Sequence, residues 1–135
     1  MDLNNNLKIV PGYGPVAPIT DNTPMVTAIL DTRNFDSNML AIVAGTLADA
    51  DATFTLLVEE GDAANLSDAA AVVDNDLIGL ESQASFTFAD DGVTKKIGYK
   101  GKKNYIRATL TPANNTGSAP FTMVWIQGNG RKLPV

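Results

Sequence analysis

The feature that most constrains this chain is a run of short apolar segments with a two-residue period, cut apart by glycine, proline, asparagine and aspartate. In TFTLLVEE, Phe54, Leu56 and Val58 face one way, and Thr53, Thr55 and Glu59 the other. That is the period of a half-buried strand. QASFTF repeats it with Ala84, Phe86 and Phe88 on one side, and FTMVWIQ with Phe121, Met123 and Trp125. MVTAIL, MLAIVAG, VTKKIGY and NYIRATLT complete the set, and DTRNFDSN, GDAANLSD, ADDG, KGKK, PANNTGSAP and GNG separate them. Eight or so short strands at about ten-residue spacing, with no long helix, predict an all-β chain: an antiparallel β-sandwich or jelly roll. AANLSDAAAVV (63–73) is the one helix-like window. It is short and bounded by breakers, so a loop with a single helical turn is expected there.

Residues 1–24 read differently. PGYGPVAPITDNTP holds four prolines and two glycines, which disfavour both helix and central strand. An irregular, extended N-terminal arm is expected over 1–24, either laid over its own domain or docked on a neighbouring subunit, with the sandwich domain over 25–135. A chain of 135 residues fits one domain and can bury roughly two-thirds of the surface it exposes unfolded.

Composition removes whole classes of chemistry. The chain contains no histidine and no cysteine, so Ser-His-Asp and Cys-His catalysis, disulfides and thiolate or imidazole metal sites are excluded. Asp74, Asp76 and Gly79 fall at the first, third and sixth places of a calcium loop, but Ile78 and Ser85 occupy the fifth and twelfth. Turns capped by aspartate are the expectation there. Glu59 and Glu60 are neighbours on a strand and point to opposite faces, so they cannot flank one glycosidic bond. GYGPVA and GNGRK lack the context of a phosphate loop. The sequons at Asn65 and Asn114 read as turn-rich surface, and Trp125 as a core anchor. No enzyme, cofactor or metal is expected. The opening MDLNNNLKIV lacks a basic start and an apolar run, and no segment reaches the roughly 20 apolar residues of a membrane span. A soluble protein made without export is expected, with no membrane partner. The net charge of −5 disfavours nucleic acid.

Charge is segregated along the chain. Between Asp31 and Asp91 there are thirteen acids against one base, Arg33, and every charged residue after Asp91 is basic. Lys95, Lys96, Lys100, Lys102, Lys103 and Arg107 lie in KKIGYKGKKNYIRATL. This segment reads as a β-hairpin, with Gly101 supplying a positive φ and Lys100, Lys102 and Lys103 at the tip. Three uses of the charge are open: attraction to the acidic segment, protection of a sheet edge, and contact with an acidic partner.

The order LLVEEGD…LIGL…KKIGYKGKKNYIRATLTP…FTMVWIQGNGRKLP resembles the small capsid decoration, or cement, proteins of tailed bacteriophages. The match runs from about Met25 to Val135 and is most specific over Ile97–Arg107. The resemblance implies a jelly roll on the outer surface of a virion, made in the host bacterial cytoplasm. Its implied partners are the major capsid protein and copies of itself, a dimer favoured over a trimer. Lys100, Lys102, Lys103, Arg107, Tyr99, Tyr105 and Tyr13 are the candidate contacts with capsid or subunit. The alternative is a carbohydrate- or receptor-binding β-sandwich of a tail or head fibre, with Tyr13, Tyr99 and Tyr105 as its aromatic platform.

Overall fold

In the computed structural model, which describes residues 2–134, the chain is an antiparallel β-sandwich. Met1 and Val135, the outer limits of the expected arm and domain, lie outside the described residues. The strands are β1 (Lys8–Tyr13), β2 (Met25–Val26), β3 (Leu30–Asp31), β4 (Phe35–Ala44), β5 (Thr53–Gly61), β6 (Ala70–Ala71), β7 (Leu77–Ile78), β8 (Phe86–Thr87), β9 (Thr94–Tyr99), β10 (Tyr105–Ala113) and β11 (Phe121–Gly130). Sheet one runs β1-β11-β4-β9-β7. Sheet two runs β2-β10-β5-β6, with β3 also on β10 and β8 on β5. From β4 to β5 and from β9 through β10 to β11, consecutive long strands change sheet, as in a jelly roll.

The inner faces include the alternating sets of β5 and β11 read from the sequence. Leu40, Ile42, Ile97, Met123 and Trp125 of sheet one meet Phe54, Leu56, Val58, Ile106, Ala108 and Leu110 of sheet two. Phe121 packs on Phe54 and Phe86 with ring centroids 4.8 and 5.1 Å apart, both tilted as aromatic quadrupoles prefer. Trp125 is buried, and its indole N–H donates to the Ala28 carbonyl at 3.3 Å. One end of the core is polar but satisfied: buried Gln127 donates to Asn38 Oδ1 at 2.9 Å and to the Asp31 carbonyl at 3.0 Å.

Four local expectations are corrected. Within the supposedly irregular arm, Lys8–Tyr13 is an edge strand on β11. Pro11 is tolerated because an edge strand has one ladder to satisfy. Beyond it, Ile19 bridges Ala119, and Asn115 takes hydrogen bonds to Asn22 and Asp21, so this segment is held by its own chain. MVTAIL forms two short strands separated by buried Thr27, whose hydroxyl accepts from the Ala108 N–H. Phe88 does not share the buried face of Ala84 and Phe86, because the strand ends at Thr87 and a 3-10 turn over Phe88–Asp90 carries the ring outward. Finally, β9 and β10 do not form a hairpin. β9 lies between β4 and β7 in sheet one, while β10 pairs β5 in sheet two. Each strand has one strongly apolar face, and stacking the sheets lets those faces cover each other. Lys100–Asn104 is a crossover, and its five residues reach up to about 16 Å, enough for the roughly 10 Å between packed sheets. Gly101 takes no positive φ; a Cβ there would overlap the Tyr99 hydroxyl.

Replacing Trp125 by alanine is expected to cost about 3–5 kcal/mol. Chemical denaturation with the m-value held constant checks it, and a loss under 1 kcal/mol, roughly that of a surface substitution, would show the sandwich does not rest on this ring.

Candidate functional site: the outer face of sheet one

Alternation along a strand gives each sheet an inner and an outer face, and the outer faces of the two sheets differ in chemistry. On sheet two the outer positions are mostly polar: Thr53, Thr55, Glu59, Tyr105, Arg107, Thr109 and Thr111, with Leu57 and Val26 as apolar exceptions. Arg107 and Glu59 sit directly opposite each other and pair at 3.1 Å.

Sheet one is more apolar on its outer face, with Lys96, Thr122 and Thr94 as the polar exceptions in the rows below. Register places Ile9, Ile126, Met39, Gly98 and Ile78 in one row across all five strands. The next row is Pro11, Val124, Ala41 and Lys96, and the one beyond it Thr122, Val43 and Thr94. Ile9 is 68% exposed, Ile78 61% and Val43 44%. From strand and side-chain spacings, the three rows span roughly 400–500 Å². That is at the upper end of what a monomer leaves open, and patches of this size are commonly contact sites.

A hollow of about 410 Å³ opens in this face. Its walls are Leu7, Met39, Ile78 and Ile126, Lys96 and Lys100 stand at its rim, and Asp36, Ser37 and Asn38 line its polar side. Gly98 lies on its floor and lets the Ile78 side chain pack close beside it: a Cβ there would come to 3.0 Å from Ile78.

The residues singled out in the sequence are scattered by the fold. Of the three loop lysines, Lys100 reaches the hollow of sheet one. Lys102 and Lys103 line a separate, more polar hollow of about 450 Å³ at the end of the sandwich, with Arg33, Asn104, Asp36 and Arg131. Lys103 pairs with Asp62 at 3.3 Å. Arg107 lies on the outer face of sheet two, engaged there by Glu59 of the same sheet. Tyr13 is half-buried against the core, and Tyr105 is half-buried beneath the Arg33 guanidinium, 5.4 Å from its ring. Tyr99 is buried; its hydroxyl donates to Glu60 Oε1 at 2.7 Å and accepts the Lys103 N–H at 3.1 Å. Burial, then the hydrogen bond to Glu60, raises its pKa well above the ordinary tyrosine value. Tyr99 is therefore an internal strut that makes no open platform.

Spatially, the charge segregation is largely undone. Lys95 meets Asp90 at 3.2 Å, donates to the Ser85 carbonyl at 2.6 Å and lies 4.8 Å from the Phe86 ring centre. With Lys103–Asp62 and Arg107–Glu59, half of the basic segment's six charges are paired with the acidic segment. Lys96, Lys100 and Lys102 make no ion pair among the described residues. Several aspartates hold turns by accepting backbone N–H groups: Asp49 from Thr116, Asp68 from Asp62, Asp90 from Thr87. Each has its pKa lowered, chiefly by that bond. Among the described residues no group of three or more Asp or Glu gathers as a metal site, and no helix is long and apolar enough to cross a membrane.

Neither a protein-family description nor any curated protein matches the chain. Among solved structures it is similar to the capsid of Ralstonia phage GP4, at 9% identity over 93% of this chain and 83% of that one, TM-score 0.46. It is also similar to the C-terminal family 22 carbohydrate binding module of Clostridium thermocellum Xyn10B, at 10% identity over 98% and 99%, TM-score 0.43. A third is the K1 cleaved adhesin domain of Lys-gingipain from Porphyromonas gingivalis, at 14% identity over 92% and 73%, TM-score 0.41. At these identities and scores the likenesses carry no statement about function.

The outer face of sheet one was not singled out from the sequence, although a signal for it exists. MLAIVA and MVWI are apolar at consecutive positions, which a strand with one wet face does not require.

Tyr99→Phe is expected to cost about 1–3 kcal/mol, since the Glu60 carboxylate and the Lys103 N–H lose their partner in a half-buried site. Differential denaturation against wild type checks it. For Asp49, Asp68 and Asp90 the folded pKa lies below the ordinary 3.8. Their contribution to stability is present above that value and is lost as pH falls through it and below. Melting temperature is expected to drop below about pH 4; a flat profile there would show that these carboxylates do not hold the turns.

Proposed function

We propose that this chain is a virion structural protein, a decoration or cement protein that binds the outer surface of a tailed-phage capsid and stabilises the shell. The observation that carries the reading is the apolar outer face of sheet one on an otherwise acidic, polar-surfaced sandwich. Such a face supports a protein that holds other protein, and a clamp of this kind needs no catalytic group. The face alone offers about half of the roughly 800 Å² per partner of a standard stable interface. Modest single contacts suffice on a shell, because an oligomer that bridges neighbouring capsomers gains by avidity. Its partners are the major capsid protein and copies of itself, most simply in a dimer, with the outer face of sheet two left for self-contact. The carbohydrate- or receptor-binding alternative draws less support from the geometry: Tyr99 is buried, and Tyr13 and Tyr105 are half-covered, so the tyrosines make no open platform.

Added to undecorated shells, the purified protein is expected to bind to a fixed copy number and to raise the shell's melting temperature. Sedimentation with calorimetry reads both. A shell that neither retains the protein nor melts later would contradict the reading, and specific hits on a glycan array would favour the alternative.

A further inference from the structure

Alternation on β9 sends Lys96 and Gly98 outward, with Ile97 and Tyr99 inward, and Lys100, the first residue of the crossover, borders the same hollow. Outward neighbours on a strand are about 7 Å apart, so the two lysines stand at either end of the gap that Gly98 leaves. Across the strands, Met39 closes one side of the gap and Ile78 the other. The result is an apolar socket with an ammonium group at each end, neither of them ion-paired among the described residues.

From this we infer that the socket over Gly98 receives an apolar side chain of a partner protein whose neighbouring Asp or Glu is met by Lys96 and Lys100. Charge complementarity fixes the occupant. The three rows of sheet one contain one lysine, two threonines and no carboxylate; Asp76 stands outside them, next to β7, and Asp36, which lines the hollow, is paired with Arg131 at 3.6 Å. A second copy laid face to face would desolvate Lys96 against an aliphatic surface with no counter-charge, which is strongly unfavourable. A partner segment with an aliphatic or aromatic residue beside an acid fills the hollow and neutralises its rim, with the charge directing approach and the side chain setting the dissociation rate. This inference rests on the shell-binding reading and names the chemistry of the shell surface that is gripped.

The test uses the full-length protein, undecorated shells and a co-sedimentation assay, from about 50 mM to about 500 mM salt. Wild type is expected to bind, more weakly as salt rises. Lys96→Glu with Lys100→Glu is expected to weaken binding about tenfold or more and to flatten or reverse the salt dependence. Gly98→Val, which fills the socket, is expected to weaken it comparably while keeping the salt dependence. Ile78→Ser, at an exposed position, removes a wall without crowding and guards against misfolding of the valine variant; melting curves verify all the folds. If wild type binds and these variants bind equally well, the inference is overturned and the shell-binding reading stands. If their defect is instead loss of a dimer seen by light scattering, a second copy occupies the face and the inference is again overturned. Failure of wild type to bind overturns the parent reading, and the inference falls with it.

Discussion

The crossing of the chain between its two sheets turns on one hydroxyl. Tyr99 leaves β9 in sheet one, passes through the core and ends 2.7 Å from Glu60 on β5 of sheet two, while the Lys103 N–H closes on the same oxygen. The crossover is thereby wrapped around a fixed point, and Gly101 is small because that ring lies against it. Everything outward of the crossover follows. With Tyr99 pointing in, Lys96 and Gly98 point out and Lys100 borders the same hollow, and with β9 between β4 and β7 they complete an apolar face instead of decorating the tip of a hairpin. Had β9 and β10 paired, the same lysines would have stood on a solvated turn, with little apolar surface beside them.

How much of this was legible in the sequence follows from what a two-residue period can and cannot say. It places side chains on faces, and the inner sets of β5 and β11 follow from it residue by residue. Glu59 and Glu60 likewise separate as alternation requires, one to Arg107 outside and the other to Tyr99 inside. The period does not say which strands pair. KGKK between two strands is locally a hairpin signal, and the preference for stacking two apolar faces across the core is a tertiary term with no local mark. Pro11 was read as excluding a central strand, correctly, but an edge strand was still open to it. The outer face of sheet one did leave a trace, in strands apolar at every position, yet sharing it among neighbours needs the register that only the fold supplies.

Charge behaves in the same way. Linear segregation of acids and bases leaves three uses of the charge open, attraction between the two segments among them. Folding brings the two segments together on adjacent strands and loops, so Lys95, Lys103 and Arg107 are answered from within. Among the described residues Lys96 and Lys100 make no ion pair, and they border the hollow in the outer face of sheet one. A sandwich of this kind has rigid walls, a polar back and an apolar front.

The central claim is that this chain holds another protein through the outer face of sheet one. Electron microscopy of the decorated particle, at a resolution that traces the strands, tests it most directly. The account predicts β1, β11, β4, β9 and β7 seated against the shell, with Ile9, Ile78 and Ile126 at the contact and the outer face of sheet two turned away. A particle in which sheet one faces solvent and the contact is made by sheet two or by the loops would contradict it.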